Sequence, residues 1–194
     1  MHPFEFYLKL GFEHIADVAA YDHILFLVAL CAIYRIEEWK KILILVTAFT
    51  IGHSITLVLV SLELFSIPSN IIKFLIPLTI FVTALHNVIG SNQAMTSIKM
   101  KRNYTMALFF GMIHGMDFSN YFKALIMDPS DIVIPLLGFN IGIELGQLLI
   151  VFFIVGMAFL FLNLLKVKHR EWNLFISGAA AGMSLISMLE NSFW

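Results

Sequence analysis

Long apolar runs separated by short polar breaks are the dominant pattern of this chain. A membrane-spanning helix needs about 20 mostly apolar residues, and such runs occur six times, over residues 18–34, 42–62, 71–89, 104–122, 132–165 and 172–189. The runs are continuously apolar and do not alternate, which favours helices over strands. The pattern therefore predicts an all-α, polytopic membrane helix bundle that forms a single transmembrane domain over residues 1–194.

Two spans and the N-terminal segment are less regular. The first span is short and carries Asp22 and His23 near its start. The fifth is long, so we expect it to tilt or to open with a separate turn before Pro135. The first twelve residues lack the continuous apolar core of a signal peptide. Their aromatic side chains indicate that residues 1–17 form a segment that lies at the membrane interface.

Composition narrows the class of protein further. Hydrophobic residues make up 60% of the 194 positions, charged residues make up 13%, and the mean hydropathy is +0.90, which excludes an ordinary soluble domain. The net charge of −1 and the lack of a basic tail exclude nucleic acid as a partner. A single cysteine, Cys31, excludes a disulfide framework and CxxC redox chemistry. The lipid bilayer is the expected surrounding.

Lysine and arginine are distributed unequally between the two ends of the predicted spans. One end collects Arg35, Lys40, Lys41, Lys99, Lys101, Arg102, Lys166, Lys168 and Arg170, whereas the other has only Lys9, Lys73 and Lys123. Positively charged loops stay in the cytoplasm. Both termini are therefore predicted to lie outside.

Ionisable side chains within the spans are the candidates for function, because each costs several kcal/mol at bilayer depth unless a partner or a cavity receives it. Depth below the outer end of each span follows from a rise of about 1.5 Å per residue. It is about 8 Å for Asp22 and Asp117, about 13 Å for His53 and His114, and about 18 Å for Glu144. These overlapping depths predict one cavity in the outer half of the membrane. The candidate metal ligands are His14, Asp22, His23, His53, His114, Asp117 and Glu144, and the supporting polar residues are Ser54, Asn140 and Gln147.

Imidazole and carboxylate without a thiolate suit divalent nickel, cobalt or zinc, and also iron. The expected partner is thus a divalent metal ion, and no residue is assigned a catalytic role. Helical spacing distinguishes the faces that carry candidate metal ligands from the faces that pack against other helices. Polar Asn140, Glu144 and Gln147 form one stripe. Small residues form three others, which consist of Gly138, Gly142 and Gly146, of Gly111, Gly115 and Ser119, and of Gly178 and Gly182 with Ser177 and Ala181.

Each candidate also has a structural explanation. His86 is expected to be a packing residue that bonds Thr79 or Thr83 on its own face. Asp22 and Asp117 could accept hydrogen bonds from backbone or tyrosine donors, and Glu144 could be a protonated link between helices.

Two other kinds of metal protein fit part of the same set. A membrane-embedded zinc hydrolase would use the same ligands, with Ser54 or Asn140 polarising a lipid-derived carbonyl or amide. A haem held by His53 and His114 is disfavoured by the neighbouring carboxylates.

Five ordered segments resemble the HupE/UreJ family of small integral membrane proteins. They are Glu13-His14-Ile15, Tyr21-Asp22-His23-Ile24-Leu25-Phe26-Leu27, Phe49-Thr50-Ile51-Gly52-His53-Ser54, Phe110-Gly111-Met112-Ile113-His114-Gly115-Met116-Asp117-Phe118 and Phe139-Asn140-Ile141-Gly142-Ile143-Glu144-Leu145-Gly146-Gln147. The resemblance implies a nickel or cobalt permease, and we expect it in the bacterial inner membrane. The residues it would carry over are His14, Asp22, His23, His53, His114 and Glu144.

Two geometric conditions follow for such a permease. His14 and His23 are nine residues apart, two and a half turns, so in one unbroken helix they would point to opposite faces. Both can serve one site only if the chain breaks between them. Six spans in 194 residues leave little room for two moving bundles, so a homo-oligomer or a channel-like path is expected.

Overall fold

The computed structural model describes residues 2–18, 21–64, 67–90, 97–126 and 132–192, and these ranges contain helices and no strand. The α-helices are α1 (Pro3–Ala16), α2 (Asp22–Ala32), α3 (Trp39–Ser61), α4 (Ser69–Gly90), α5 (Ser97–Leu125), α6 (Val133–Phe159) and α7 (His169–Glu190). A 3-10 turn, Ile36–Glu38, precedes α3, and a π-helical turn, Leu160–Leu164, extends α6. The predicted all-α class is confirmed.

Four segments of the described chain are long and apolar enough to cross a membrane: Ile36–Ser61, Ser69–Gly90, Val133–Leu164 and His169–Glu190. They correspond to four of the six predicted spans. Helix α5 has 29 residues, but polar residues such as His114 and Asp117 lower its hydropathy. Helix α2 has only 11 residues and begins at Asp22 rather than at Val18. The complete six-span count and the sides of the termini stay predictions.

The N-terminal segment is a helix that packs along α6. Its start is capped: the imidazole of His2 accepts from the backbone N–H of Phe4 at 3.3 Å, and Pro3 occupies the first turn, where no N–H is needed. Tyr7 and Ile15 are buried against the bundle. The position of residues 1–17 at the membrane interface stays a prediction, and within the described chain the helix formed by this segment packs against α6.

Glycines bring the backbones of α1 and α6 into direct contact. A methyl group on Gly11 would overlap the backbone of Phe139, and one on Gly142 would overlap the backbone of Leu8. At Gly138 the added carbon would lie 2.7 Å from the carbonyl oxygen of Phe4. Small residues permit this approach between membrane helices, so the predicted packing stripe on α6 is confirmed.

Helices α3 and α5 form a second glycine-lined pair. A methyl group on Gly52 would overlap the backbone of Leu108, and one on Gly111 would overlap that of Phe49. On Gly115 it would lie 2.6 Å from the carbonyl oxygen of His53. The backbone that carries His53 is therefore held directly against α5.

Helices α1 and α2 together traverse the bundle, with a break between them. Helix α1 ends at Ala16, Asp17 is extended, and α2 begins at Asp22. The hydroxyl of Tyr7 donates to the carbonyl of Leu125, at the end of α5, whereas Tyr34, after α2, accepts from Asn103 near the start of α5. Helix α1 and the residue Tyr34 that follows α2 thus contact opposite ends of α5.

Helices α4 and α7 pack together around a buried amide pair. Asn87 donates to the carbonyl of Ala29 at 2.6 Å, and Asn173 donates to the carbonyl of Asn87 at 3.1 Å. The glycines of α7 do not take part, because a methyl group on Gly178 or Gly182 would meet nothing within 4 Å in the described chain. The predicted stripe on α7 is confirmed at Ser177, which is fully buried, and at Ala181, which packs against the core, whereas it is wrong at the two glycines for contacts within the described chain.

Candidate metal site

Three histidines from three different helices meet inside the bundle. His14 lies on α1, His23 on α2 and His53 on α3, and one ring nitrogen of each lies within 4.8 Å of the other two. We call these residues the histidine cluster. His23 is 4% exposed and His53 is fully buried. One ion placed among such nitrogens could be bound by all three after small side-chain movements.

The break between α1 and α2 brings the first two histidines together. His14 is in the last turn of α1 and His23 is in the first turn of α2. Their ring centroids are 4.8 Å apart, although an unbroken helix would place the two rings on opposite faces. The geometric condition set by the nine-residue spacing is therefore met.

Five ring nitrogens of the histidine cluster are buried and form no hydrogen bond in the described part of the chain, although one of them, Nδ1 of His23, lies 3.3 Å from a carboxylate oxygen of Asp22. They are Nε2 of His14 and both nitrogens of His23 and of His53. Most buried polar groups in proteins are hydrogen-bonded, and leaving one unpaired costs about 1–3 kcal/mol. Five such atoms in one place make the cluster a candidate site for a cation.

Phenylalanine rings surround the histidine cluster. Phe118 lies 4.1 Å from His14 between ring centroids, and Phe139 lies 5.8 Å from His14 and 6.1 Å from His53. Phe118 and Phe139 stack on each other at 4.9 Å. This aromatic wall leaves the imidazole nitrogens as the principal polar atoms on that side, so a cation there would depend on them.

His114 and Asp22 adjoin the cluster. The His114 ring lies 5.3 Å from the His23 ring, and Nε2 of His114 is 3.1 Å from Oγ1 of Thr79. Asp22 places Oδ1 3.3 Å from Nδ1 of His23 and accepts from the backbone N–H of the same residue at 3.0 Å. The structure therefore brings five of the predicted ligands to one region: His14, Asp22, His23, His53 and His114.

Glu144 and Asp117 lie outside the histidine cluster. Glu144 accepts hydrogen bonds from Thr47 at 2.7 Å and from Thr50 at 2.5 Å, so its carboxylate links α6 to α3. The side-chain amide of Gln147 lies 2.7 Å from the same Thr50 hydroxyl oxygen, whose single hydrogen is donated to Glu144. Asp117 is exposed on α5. These contacts agree with the interpretation of Glu144 as an interhelical link.

Two supporting residues have different environments. The hydroxyl of Ser54 donates to the backbone carbonyl of Thr50 at 2.7 Å. Oδ1 of Asn140 is buried and has no partner among the described residues. Neither residue belongs to the histidine cluster, although Ser54 directly follows His53.

The threonines are the residues that sequence reasoning missed or misassigned. Thr79 lies beside His114 and Thr83 donates to the carbonyl of Thr79, whereas His86 lies against Arg102 at the far end of α4. The expected bonds from Thr79 and Thr83 to His86 are therefore wrong. A threonine hydroxyl inside an apolar span is the sequence feature that could identify such hydrogen-bonding residues. Thr47 and Thr50 in α3 share this feature.

The fold and the site describe an all-helical integral membrane protein with a buried cluster of imidazoles. The chain belongs to the HupE/UreJ family, because the family model described as HupE / UreJ protein matches residues 1–191. No curated protein and no solved structure matches the chain.

Proposed function

We propose that this protein carries a divalent transition metal ion, nickel or cobalt, across the membrane through the histidine cluster. The observation that carries the proposal is that buried, unpartnered imidazole nitrogens from three separate helices lie within 4.8 Å of one another. Neutral imidazole is a good ligand for these ions, and no thiolate competes. The resemblance to nickel and cobalt permeases agrees with this ligand set.

In this proposal His14, His23 and His53 bind the ion, which is the substrate, and His114 and Asp22 complete its coordination. The ion enters from the outer side, loses water among the phenylalanine rings and then leaves inward past Glu144. Release is favoured when a proton occupies a ligand nitrogen, since a metal ligand must be deprotonated to bind. A carrier must also bind its ion weakly enough to release it. The uncharged phenylalanine rings around the histidine cluster add no charge that would raise the affinity for the ion.

Uptake and equilibrium binding test the proposal together. Cells that express the protein take up radiolabelled nickel or cobalt, and the full chain in lipid nanodiscs is titrated with Co²⁺. His53→Ala and His23→Ala are expected to lower affinity about tenfold or more and to abolish uptake. His86→Ala is the matched control, because His86 lies beside Arg102 and away from the cluster.

Three outcomes would contradict the proposal. Uptake that survives the loss of His53 unchanged would exclude the cluster from the path. An equal loss in His86→Ala would show that the effect is not local. Zinc that stays bound at one ion per chain through purification, with no exchange, would instead favour the metal-dependent hydrolase.

A further inference from the structure

The contact between Thr79 and His114 determines which nitrogen of His114 can bind a metal. Thr79 lies on α4 and is 3% exposed, and His114 lies on α5 and is fully buried. Oγ1 of Thr79 is 2.7 Å from the carbonyl oxygen of Ile76 and 3.1 Å from Nε2 of His114. One hydroxyl therefore serves two partners.

A threonine hydroxyl has a single hydrogen, so it can donate to only one of these partners. The 2.7 Å separation is typical of an O–H···O hydrogen bond, and 3.1 Å falls in the ordinary range for N–H···O. The Thr79 hydroxyl thus donates to the carbonyl of Ile76 and accepts from His114. This arrangement requires the proton of the neutral imidazole to be on Nε2.

The proton on Nε2 leaves Nδ1 as the only free lone pair of His114. Nδ1 is buried and has no hydrogen-bond partner in the described residues. The ring lies between Phe49 and Phe26, with centroid distances of 5.1 and 5.3 Å, and it also contacts the His23 ring at 5.3 Å. Among its ring neighbours only His23 is a metal-binding side chain.

We propose that Thr79 is a positioning residue that holds His114 as the Nε2–H tautomer, so that Nδ1 is presented to the metal ion bound by the histidine cluster. This inference rests on the function proposed above. It assigns to α4, which supplies no member of the cluster, the outer hydrogen bond that a metal-binding histidine commonly makes. Such a bond fixes the tautomer and the orientation of the ring.

Cobalt binding to the full chain in nanodiscs provides the test, with the visible d–d absorption of Co²⁺ as a second readout. Thr79→Val removes the acceptor and keeps the shape, and we expect it to lower Co²⁺ affinity about tenfold or more and to change the d–d spectrum. Thr79→Ser restores the acceptor and should return both measurements to within about threefold of wild type.

Thr83→Val is the matched control. Thr83 is a buried threonine one turn along the same helix, and its hydroxyl donates to the backbone of Thr79 and not to a histidine. It should keep the wild-type spectrum and affinity even if it lowers thermal stability. A double variant separates the roles further: in a His114→Ala background, Thr79→Val should have no additional effect on affinity, because its partner is already absent.

The results separate the two proposals. If the wild-type chain does not bind Co²⁺, or if His53→Ala binds as well as wild type, the proposed function fails. If the wild-type chain binds through His53 but Thr79→Val keeps the affinity and the spectrum, the role of Thr79 is refuted and the function stands. Additive losses in Thr79→Val and His114→Ala would also refute it, since they would show that Thr79 does not act through His114.

Discussion

A single methyl group at Gly115 should disturb the histidine cluster without touching a ligand. In Gly115→Ala the new carbon would lie 2.6 Å from the carbonyl oxygen of His53, whereas ordinary contact begins at 3.4 Å, so α3 and α5 must separate by about 0.8 Å. A functional site generally tolerates displacements of about 0.5 Å. His53 would move relative to His114, and the affinity for Co²⁺ should fall.

The expected effect on stability can be bounded as well. Overpacking a well-filled contact costs about 1–3 kcal/mol, and the better helix propensity of alanine offsets up to about 1 kcal/mol of that. Thermal unfolding in detergent and Co²⁺ titration in nanodiscs measure the two effects on the same protein. We expect a lower melting temperature together with a Co²⁺ affinity reduced about tenfold.

Gly178→Ala is the matched control, because the same methyl group on α7 would meet nothing within 4 Å. It should leave Co²⁺ affinity unchanged and leave stability unchanged or slightly higher. The reasoning is refuted if Gly115→Ala binds Co²⁺ as tightly as wild type and is equally stable. It is also refuted if the two alanine variants lose affinity to the same extent.

Three further predictions concern other parts of the molecule. Glu144→Ala removes the acceptor of two threonine hydroxyls, so we expect the free energy of unfolding to fall by about 1–3 kcal/mol. Metal uptake should be slower while Co²⁺ binding is retained, and a loss of Co²⁺ binding would show that Glu144 acts as a ligand with the histidine cluster. The Lys123 ammonium holds the pKa of Glu63 below its ordinary value. The stabilisation by this ion pair is therefore present above the pKa of Glu63 in the unfolded chain and is lost as the pH falls through its pKa in the folded protein. In an NMR titration, Lys123→Met should raise the Glu63 pKa, and an unchanged pKa would contradict the prediction. Single cysteines at Glu5 and Lys101, in a Cys31→Ser background, should be labelled by an impermeant reagent from opposite sides of the membrane, with Glu5 outside; labelling of both from one side would refute the predicted orientation.

Much of the fold follows from periodicity and from small residues. The continuous apolar runs predict helices, and the glycine stripes on α5 and α6 predict close backbone contacts, which the structure confirms at Gly115 and Gly142. A stripe in sequence does not identify its partner, however. The same spacing at Gly178 and Gly182 is left without a contact within the described chain, because packing depends on which helix lies opposite.

The candidate site was predictable in part for a similar reason. Depth along each span puts His53 and His114 at one level, and in the structure both are buried, with the His53 ring beside that of His14 and the His114 ring beside that of His23. Depth does not give the direction around the helix axis, so depth alone groups Glu144 with the histidines, whereas its carboxylate contacts Thr47 and Thr50 in the structure. Hydrogen bonds between helices depend on rotations and offsets that one sequence does not contain.

The interruption between α1 and α2 links the chemistry of the ion to movement of the protein. Helix α1 packs mainly on α6, whereas α2 packs on α4, α7 and α6, and the two short helices have little contact with each other. In the proposed function, an ion that joins His14 to His23 would link α1 to α2 beside Asp17, where the helical backbone of α1 has already ended. Binding and release of the ion would then make and break a connection between the two short helices, so that their relative position depends on whether the ion is bound.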